Sequence, residues 1–155
     1  MADNKSTLVV GLGNNYRKDD GVGLYVAEKI RSMNLDNIEV ADNIGESTSL
    51  IKVWSNAGKV FVVDAVISTE REGTTHRFDA LKEKIPGEIF NSYSTHSFSL
   101  LESIELAKTL GELPDSLIIY GIEGKDFSSG IGLSSKVVKA ADEVIDMLVN
   151  EIQSH

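Results

Sequence analysis

The chain contains no cysteine among its 155 residues. Disulfide bonds, thiolate metal ligands and cysteine nucleophiles are therefore excluded by composition. A metal ion bound to this chain must be held through oxygen and nitrogen atoms.

Basic residues are few and dispersed. Lys and Arg number 15 against 24 Asp and Glu, the formal net charge is −9, and the longest basic run is the pair Arg17-Lys18. Binding to a polyanion requires basic side chains that neutralise phosphates, so this balance argues against nucleic acid as a partner. A cation or a basic peptide remains compatible with it.

Long apolar runs are also missing. The longest, such as 60–63 and 117–120, are far too short to cross a bilayer, and residues 1–7 lack the basic and apolar pattern of a signal peptide. We therefore expect a cytoplasmic monomer without a membrane partner. With 41% hydrophobic residues, the length suits a single domain over 1–155 with a short polar tail at 1–6.

The apolar pattern alternates between strand-like and helix-like segments. Strands are predicted at 8–11, 38–41, 59–63, 73–78 and 117–122, and helices at 22–30, 47–54, 97–110 and 134–152. The segment 79–93 is the only sizeable irregular region in this pattern. Strands that alternate with helices predict an α/β fold, a three-layer sandwich whose mostly parallel, twisted sheet of about five strands has helices on both faces.

The first predicted strand ends in the turn Gly11-Leu12-Gly13-Asn14. A dinucleotide-binding fingerprint would need a third glycine where this chain has Tyr16. Asp19 and Asp20 stand at the start of the following helix, where they would repel phosphate and attract a cation.

Three polar residues are expected at the carboxyl ends of the strands, where ligands bind in such folds. Asp20 follows the first strand, Asp64 ends the third, and His96 precedes the helix at 97–110. Two carboxylates and an imidazole can hold a divalent ion such as nickel, zinc or iron with coordination positions left open.

Each of the three also has an ordinary structural interpretation. Asp20 could complement a helix dipole, and His96 could cap a helix. Asp64 is harder to explain in this way, because a carboxylate that closes an apolar central strand is costly to bury unless it is paired or ligating. Serine catalysis is disfavoured, since no Gly-x-Ser-x-Gly elbow is present around Ser94, Ser97 or Ser99.

Six short segments follow one another along the chain: VVGLGN at 9–14, DDGVG at 19–23, VVDA at 62–65, TH at 95–96, YGIE at 120–123 and GLS at 132–134. In order and spacing they resemble the hydrogenase maturation endopeptidase family, over roughly residues 7–150. Members of that family cleave a C-terminal extension from the large-subunit precursor of nickel-iron hydrogenase after nickel has been inserted. The resemblance thus implies a protease whose partner is that precursor.

The resemblance also implies roles for individual residues. Asp20, Asp64 and His96 would be the catalytic residues and would contact nickel that belongs to the substrate, with no organic cofactor. Asn14, Asp42 and Gly45 would be candidates for receiving the substrate peptide. The segment 42–47 departs from the glycine-rich acidic segment that the family often carries there, since it contains one glycine.

Two other functions are compatible with parts of the sequence. Peptidyl-tRNA hydrolases share the Gly-Leu-Gly-Asn turn, but they need a His-Asn pair where this chain has Asp20-Gly21, and they need a basic surface. A non-catalytic α/β domain that binds a small molecule would leave Asp20 and Asp64 as ordinary loop acids.

Overall fold

The fold is described from a computed structural model over residues 6–42, 44, 47–90 and 100–154. In chain order the strands and α-helices are β1 (Thr7–Gly11), α1 (Val22–Ser32), β2 (Ile38–Ala41), α2 (Ser47–Trp54), β3 (Lys59–Val66), β4 (Thr75–Asp79), α3 (Leu100–Leu110), β5 (Ser116–Glu123) and α4 (Ser135–Gln153). Short 3-10 helices lie at Lys18–Gly21 and Gly87–Phe90. None of the helices in these ranges is both long and apolar enough to span a membrane.

The five strands form one sheet in the order β2-β1-β3-β5-β4. All neighbouring pairs are parallel except β4, which runs antiparallel to β5 at the edge. β3 and β5 lie inside the sheet and are buried on both faces, which explains their continuous apolar sequence. The predicted mostly parallel sheet and its edge strand are confirmed.

Alternate residues of each strand pack into different layers. Val9, Phe61 and Ile118 belong to a core beneath α1 and α4, whereas their sequence neighbours Val10 and Val62 face α2 and α3. The alternation follows from the two-residue period of a strand. The three-layer sandwich is therefore confirmed.

The third strand is longer than the apolar pattern predicts. β3 continues past Val63 because β5 extends beside it, with Val66 paired to Glu123. Asp64 consequently lies inside β3 and does not end it, which corrects the expected position. The neighbouring strand β1 stops at Gly11, opposite Val63, so Asp64 stands where the sheet loses one of its strands.

Two other segments differ from the sequence-based expectation in detail. The region at 79–93 contains the 3-10 helix Gly87–Phe90, which buries Ile89. The helix predicted at 97–110 is present from Leu100, and residues 91–99 lie outside the described residues.

Candidate active site

Gly11 at the end of β1 and Gly23 in the first turn of α1 allow this helix to start directly against the sheet. A Cβ on Gly23 would lie 2.3 Å from the carbonyl oxygen of Val63, and a Cβ on Gly11 would lie 2.3 Å from the carbonyl oxygen of Gly23. Any side chain at these positions would push α1 away from β1 and β3. The close approach brings the 3-10 helix that carries Asp20 against β3, next to Asp64.

Gly13 fixes the position of Asp20. Its φ is +136°, and an added Cβ would lie 1.9 Å from the carbonyl oxygen of Asp20. The next residue, Asn14, donates its backbone N–H to that carbonyl oxygen at 3.3 Å and to Oδ2 of Asp20 at 3.0 Å. The turn therefore holds both the main chain and the carboxylate of Asp20.

The adjacent Asp19 has a different task. It is fully buried, and its carboxylate accepts hydrogen bonds from the backbone N–H groups of Lys125, Asp126 and Ser134 and from the hydroxyl of Ser134, all between 2.7 and 2.9 Å. Its oxygen atoms are thus used to fasten the loop before α4. The expectation that both aspartates attract a cation is corrected for Asp19, because its carboxylate has a structural role in the loop before α4.

Asp64 and Asp20 form a pair of buried carboxyl groups. Asp64 is 8% exposed, and its Oδ1 accepts the Ala65 N–H at 2.8 Å. Burial, followed by the negative charge of Asp20, raises the pKa of Asp64 to about 8. Burial also raises the pKa of Asp20, against the opposing effects of the Asn14 N–H and the Arg17 charge.

Two carboxylates so placed repel each other and lack the full solvation of water. A proton on one of them relieves the repulsion, and so does a divalent cation that arrives with another molecule. Among the described residues, no group of three or more His, Asp or Glu side chains could by itself hold a metal ion. Asp20 and Asp64 contribute two carboxylates, and His96 lies outside the described residues.

The structure describes two of the three residues that are candidates for binding the substrate peptide. Asn14 supports Asp20 through its backbone, and its side-chain Oδ1 accepts the Tyr16 N–H at 2.9 Å. Asp42 follows β2 and forms an ion pair with Arg31 at 3.4 Å. Gly45 lies outside the described residues.

A further buried carboxylate, that of Glu123, was given no role by sequence reasoning, although the segment YGIE at 120–123 contains it. Glu123 is 1% exposed and accepts hydrogen bonds from the backbone and hydroxyl of Ser68, and its Oε2 lies 2.7 Å from Nε2 of His76. These partners are 47 and 55 residues away in the sequence, and only the pairing of β4 and β3 with β5 brings them together. These partners occupy the hydrogen-bonding positions of the Glu123 carboxylate, so we interpret Glu123 as a structural residue, in contrast to Asp20 and Asp64.

Comparison with known proteins decides the family. A family model described as HycI, hydrogenase maturation protease, matches residues 24–151. The chain belongs to the hydrogenase maturation protease family. It is therefore a peptidase, a hydrolase of peptide bonds, and the alternatives of a peptidyl-tRNA hydrolase or a non-catalytic domain are wrong.

Individual relatives share most of their length with this member of the family. A protein of Methanocaldococcus jannaschii, named as a candidate hydrogenase maturation protease, is 32% identical, with 96% of this chain and 97% of the relative covered. The solved structure of the hydrogenase maturating endopeptidase HybD from Escherichia coli has the same fold, with a TM-score of 0.82, 21% identity, and 96% and 92% of the two chains covered. A hydrogenase 2 maturation peptidase from a Thaumarchaeota archaeon gives a TM-score of 0.71 at 25% identity, covering 96% and 99%.

Proposed function

We propose that this protein is the endopeptidase that removes the C-terminal extension of a nickel-iron hydrogenase large-subunit precursor once nickel has been inserted. In this proposal it acts as a monomer in the cytoplasm and recognises nickel that remains bound to its substrate. The observation that carries the proposal is the pair of buried carboxyl groups, Asp20 and Asp64, beside the end of β1.

The pair offers a reason for dependence on the metal. Near neutral pH a proton on Asp64 relieves the repulsion between the two groups, because the pKa of Asp64 is raised to about 8. A divalent cation carried by the precursor can displace that proton and be held by both carboxylates, whereas a metal-free precursor gains no such contact. Binding therefore favours the nickel-loaded form without a separate sensing element.

The residues of this chain would orient the metal-bearing end of the substrate. Backbone N–H groups hold Oδ2 of Asp20 and Oδ1 of Asp64, so neither carboxylate needs to reorganise when the substrate arrives. His96 is proposed as the third residue that contacts the metal, which it would bind through an imidazole nitrogen. Hydrolysis adds water across the scissile peptide bond, and a bound cation can assist either by polarising the carbonyl or by activating the water.

The peptide around the cut would be bound by three further residues. We assign this role to Asn14, Asp42 and Gly45. Asn14 already positions Asp20, and Asp42 stands directly after β2, the neighbour of β1.

The test uses the purified chain and the large-subunit precursor from the same organism, prepared with and without nickel. We expect the nickel-loaded precursor to lose its extension and the nickel-free precursor to stay intact, as measured by intact-protein mass spectrometry. Equal cleavage of both forms would contradict recognition of nickel.

Substitution of each proposed site residue, compared with substitution of an exposed aspartate, tests the site. Asp20→Asn, Asp64→Asn and His96→Ala are each expected to lower cleavage at least about a hundredfold, in the range of lost electrostatic contacts at active sites. Asp146→Asn, on the exposed side of α4, is the matched control and should cleave normally. Full activity in all three site variants would refute the site.

A further inference from the structure

A groove of about 630 Å³ runs along the surface from the active-site turn to the end of β2. Its lining includes the half-buried apolar side chains of Leu24 in α1, of Leu133 just before α4 and of Val138 in α4. Tyr16 and Ile131 also line it. The groove is thus built from α1 and from loops more than 100 residues apart in the chain.

Tyr16 and Ile131 are the most exposed large hydrophobic side chains of the described residues, at 69% and 73%. Hydrogen bonds nevertheless join the turn that carries Tyr16 to Gly130, the residue before Ile131. The Gly130 N–H donates to the Tyr16 carbonyl at 2.9 Å, and the Lys18 N–H donates to the Gly130 carbonyl at 3.1 Å. Apolar side chains that a hydrogen-bonded backbone keeps in water are typical of surfaces that meet a partner.

The groove begins next to the candidate active site. Gly21, which immediately follows Asp20, lines it, together with Asn15 and Tyr16 from the turn before Asp20. A precursor bound at Asp20 therefore lies beside this end of the groove.

The charges along the groove indicate what it can accept. At the far end, Arg31 pairs with both Glu28 and Asp42, at 2.5 and 3.4 Å, and Lys29 lies over the Tyr25 ring. These groups neutralise one another, and at the near end the positive charge of Arg17 opposes that of Asp20. With the charges balanced, the exposed apolar side chains decide what the groove accepts, which is a segment with an apolar side chain.

Resting on the proposed function, we infer that this Tyr16–Ile131 groove binds the segment of the hydrogenase precursor that adjoins its nickel-bearing end. The segment lies along the groove in an extended form and places an apolar side chain between Tyr16 and Ile131. The groove would supply affinity for the precursor protein, whereas Asp20 and Asp64 act on its metal.

Steady-state cleavage of the nickel-loaded precursor tests this division of roles. Tyr16→Ser and Ile131→Ser should each raise KM about tenfold, the size of a well-placed contact residue at an interface, and should leave kcat within about twofold. Leu110→Ser is the matched control, because Leu110 is also an exposed apolar residue, 59% exposed at the end of α3, and lies outside the groove. It should leave both constants unchanged.

The outcomes distinguish the groove from the underlying function. If the wild-type chain cleaves the precursor and both groove variants keep its KM, or if Leu110→Ser raises KM equally, the groove assignment is overturned while the function stands. If the wild-type chain does not cleave the nickel-loaded precursor, the function fails and the groove assignment fails with it.

A photo-crosslinking amino acid in place of Ile131 identifies the occupant directly. We expect the crosslinked precursor peptide, located by mass spectrometry, to lie next to the nickel-binding segment. A crosslink to a remote part of the precursor, or to a second copy of this chain, would overturn the assignment.

Discussion

Replacing Asp64 by asparagine should stabilise the folded protein at high pH while it removes activity. The folded-state pKa of Asp64 is raised from 3.8 to about 8 by burial and by Asp20. Between these two values the folded chain retains a proton that the unfolded chain has released. Stability must therefore fall as the pH rises through this interval, by up to about 1.4 kcal/mol for each pH unit.

The size of the effect follows from the width of that interval. A shift of about four units corresponds to a penalty of at most about 6 kcal/mol above pH 8, where Asp64 is ionised in both states. Relaxation and water penetration lower this value, so we expect Asp64→Asn to gain at least about 2 kcal/mol at pH 8. At pH 5 the gain should be about 1 kcal/mol, because most of the interval lies above that pH.

Urea unfolding at pH 5, 6, 7 and 8 measures the effect through the free energy of unfolding of wild type and variant. Asparagine can still accept the Ala65 N–H through its Oδ1, so the local hydrogen bond need not be lost. Any fixed cost of burying the amide is independent of pH, which makes the slope the decisive quantity. If the difference in free energy of unfolding between Asp64→Asn and wild type stayed constant from pH 5 to pH 8, the reasoning would be refuted. The same holds if the difference between the exposed control Asp146→Asn and wild type changed with pH by as much.

Three further changes test how the site is held. Asp19→Ala removes the buried acceptor of four hydrogen bonds and should lower the free energy of unfolding by about 3 kcal/mol or more, measured in urea. A loss below about 1 kcal/mol would contradict its structural role. Gly13→Ala must displace Asp20, so cleavage should fall at least about tenfold, whereas Gly111→Ala, with φ of +69° and open space around it, should cost only about 1 kcal/mol of stability and no activity. Asp42→Ala should raise KM for the precursor and spare kcat; a change confined to kcat would argue against a substrate-binding role.

The fold could be predicted from the sequence because its signals are local. A strand buried on both faces must be apolar throughout, and a surface helix must repeat its apolar residues every three to four positions. The run from Val60 to Val63 and the stripe that includes Val137, Val144 and Leu148 follow these rules directly. The family could be predicted from the sequence as well, since the resemblance depends on the order of short segments.

The site was only partly predictable. Residue type and position at a strand end singled out Asp20 and Asp64, and the structure adds their mutual repulsion. The end of β3 was misplaced, because the length of a strand depends on the neighbour that pairs with it, here β5.

The sequence by itself determined the α/β class, the family and the presence of carboxylates near the strand ends. Only the tertiary structure decided which groups the buried carboxylates contact: Asp19 accepts hydrogen bonds from the loop before α4, and Glu123 contacts Ser68 and His76. It also decided that Tyr16 and Ile131 line the same groove. The physical reason is distance along the chain: hydrogen bonds and shared surfaces between residues dozens to more than 100 positions apart leave no periodic trace in the sequence.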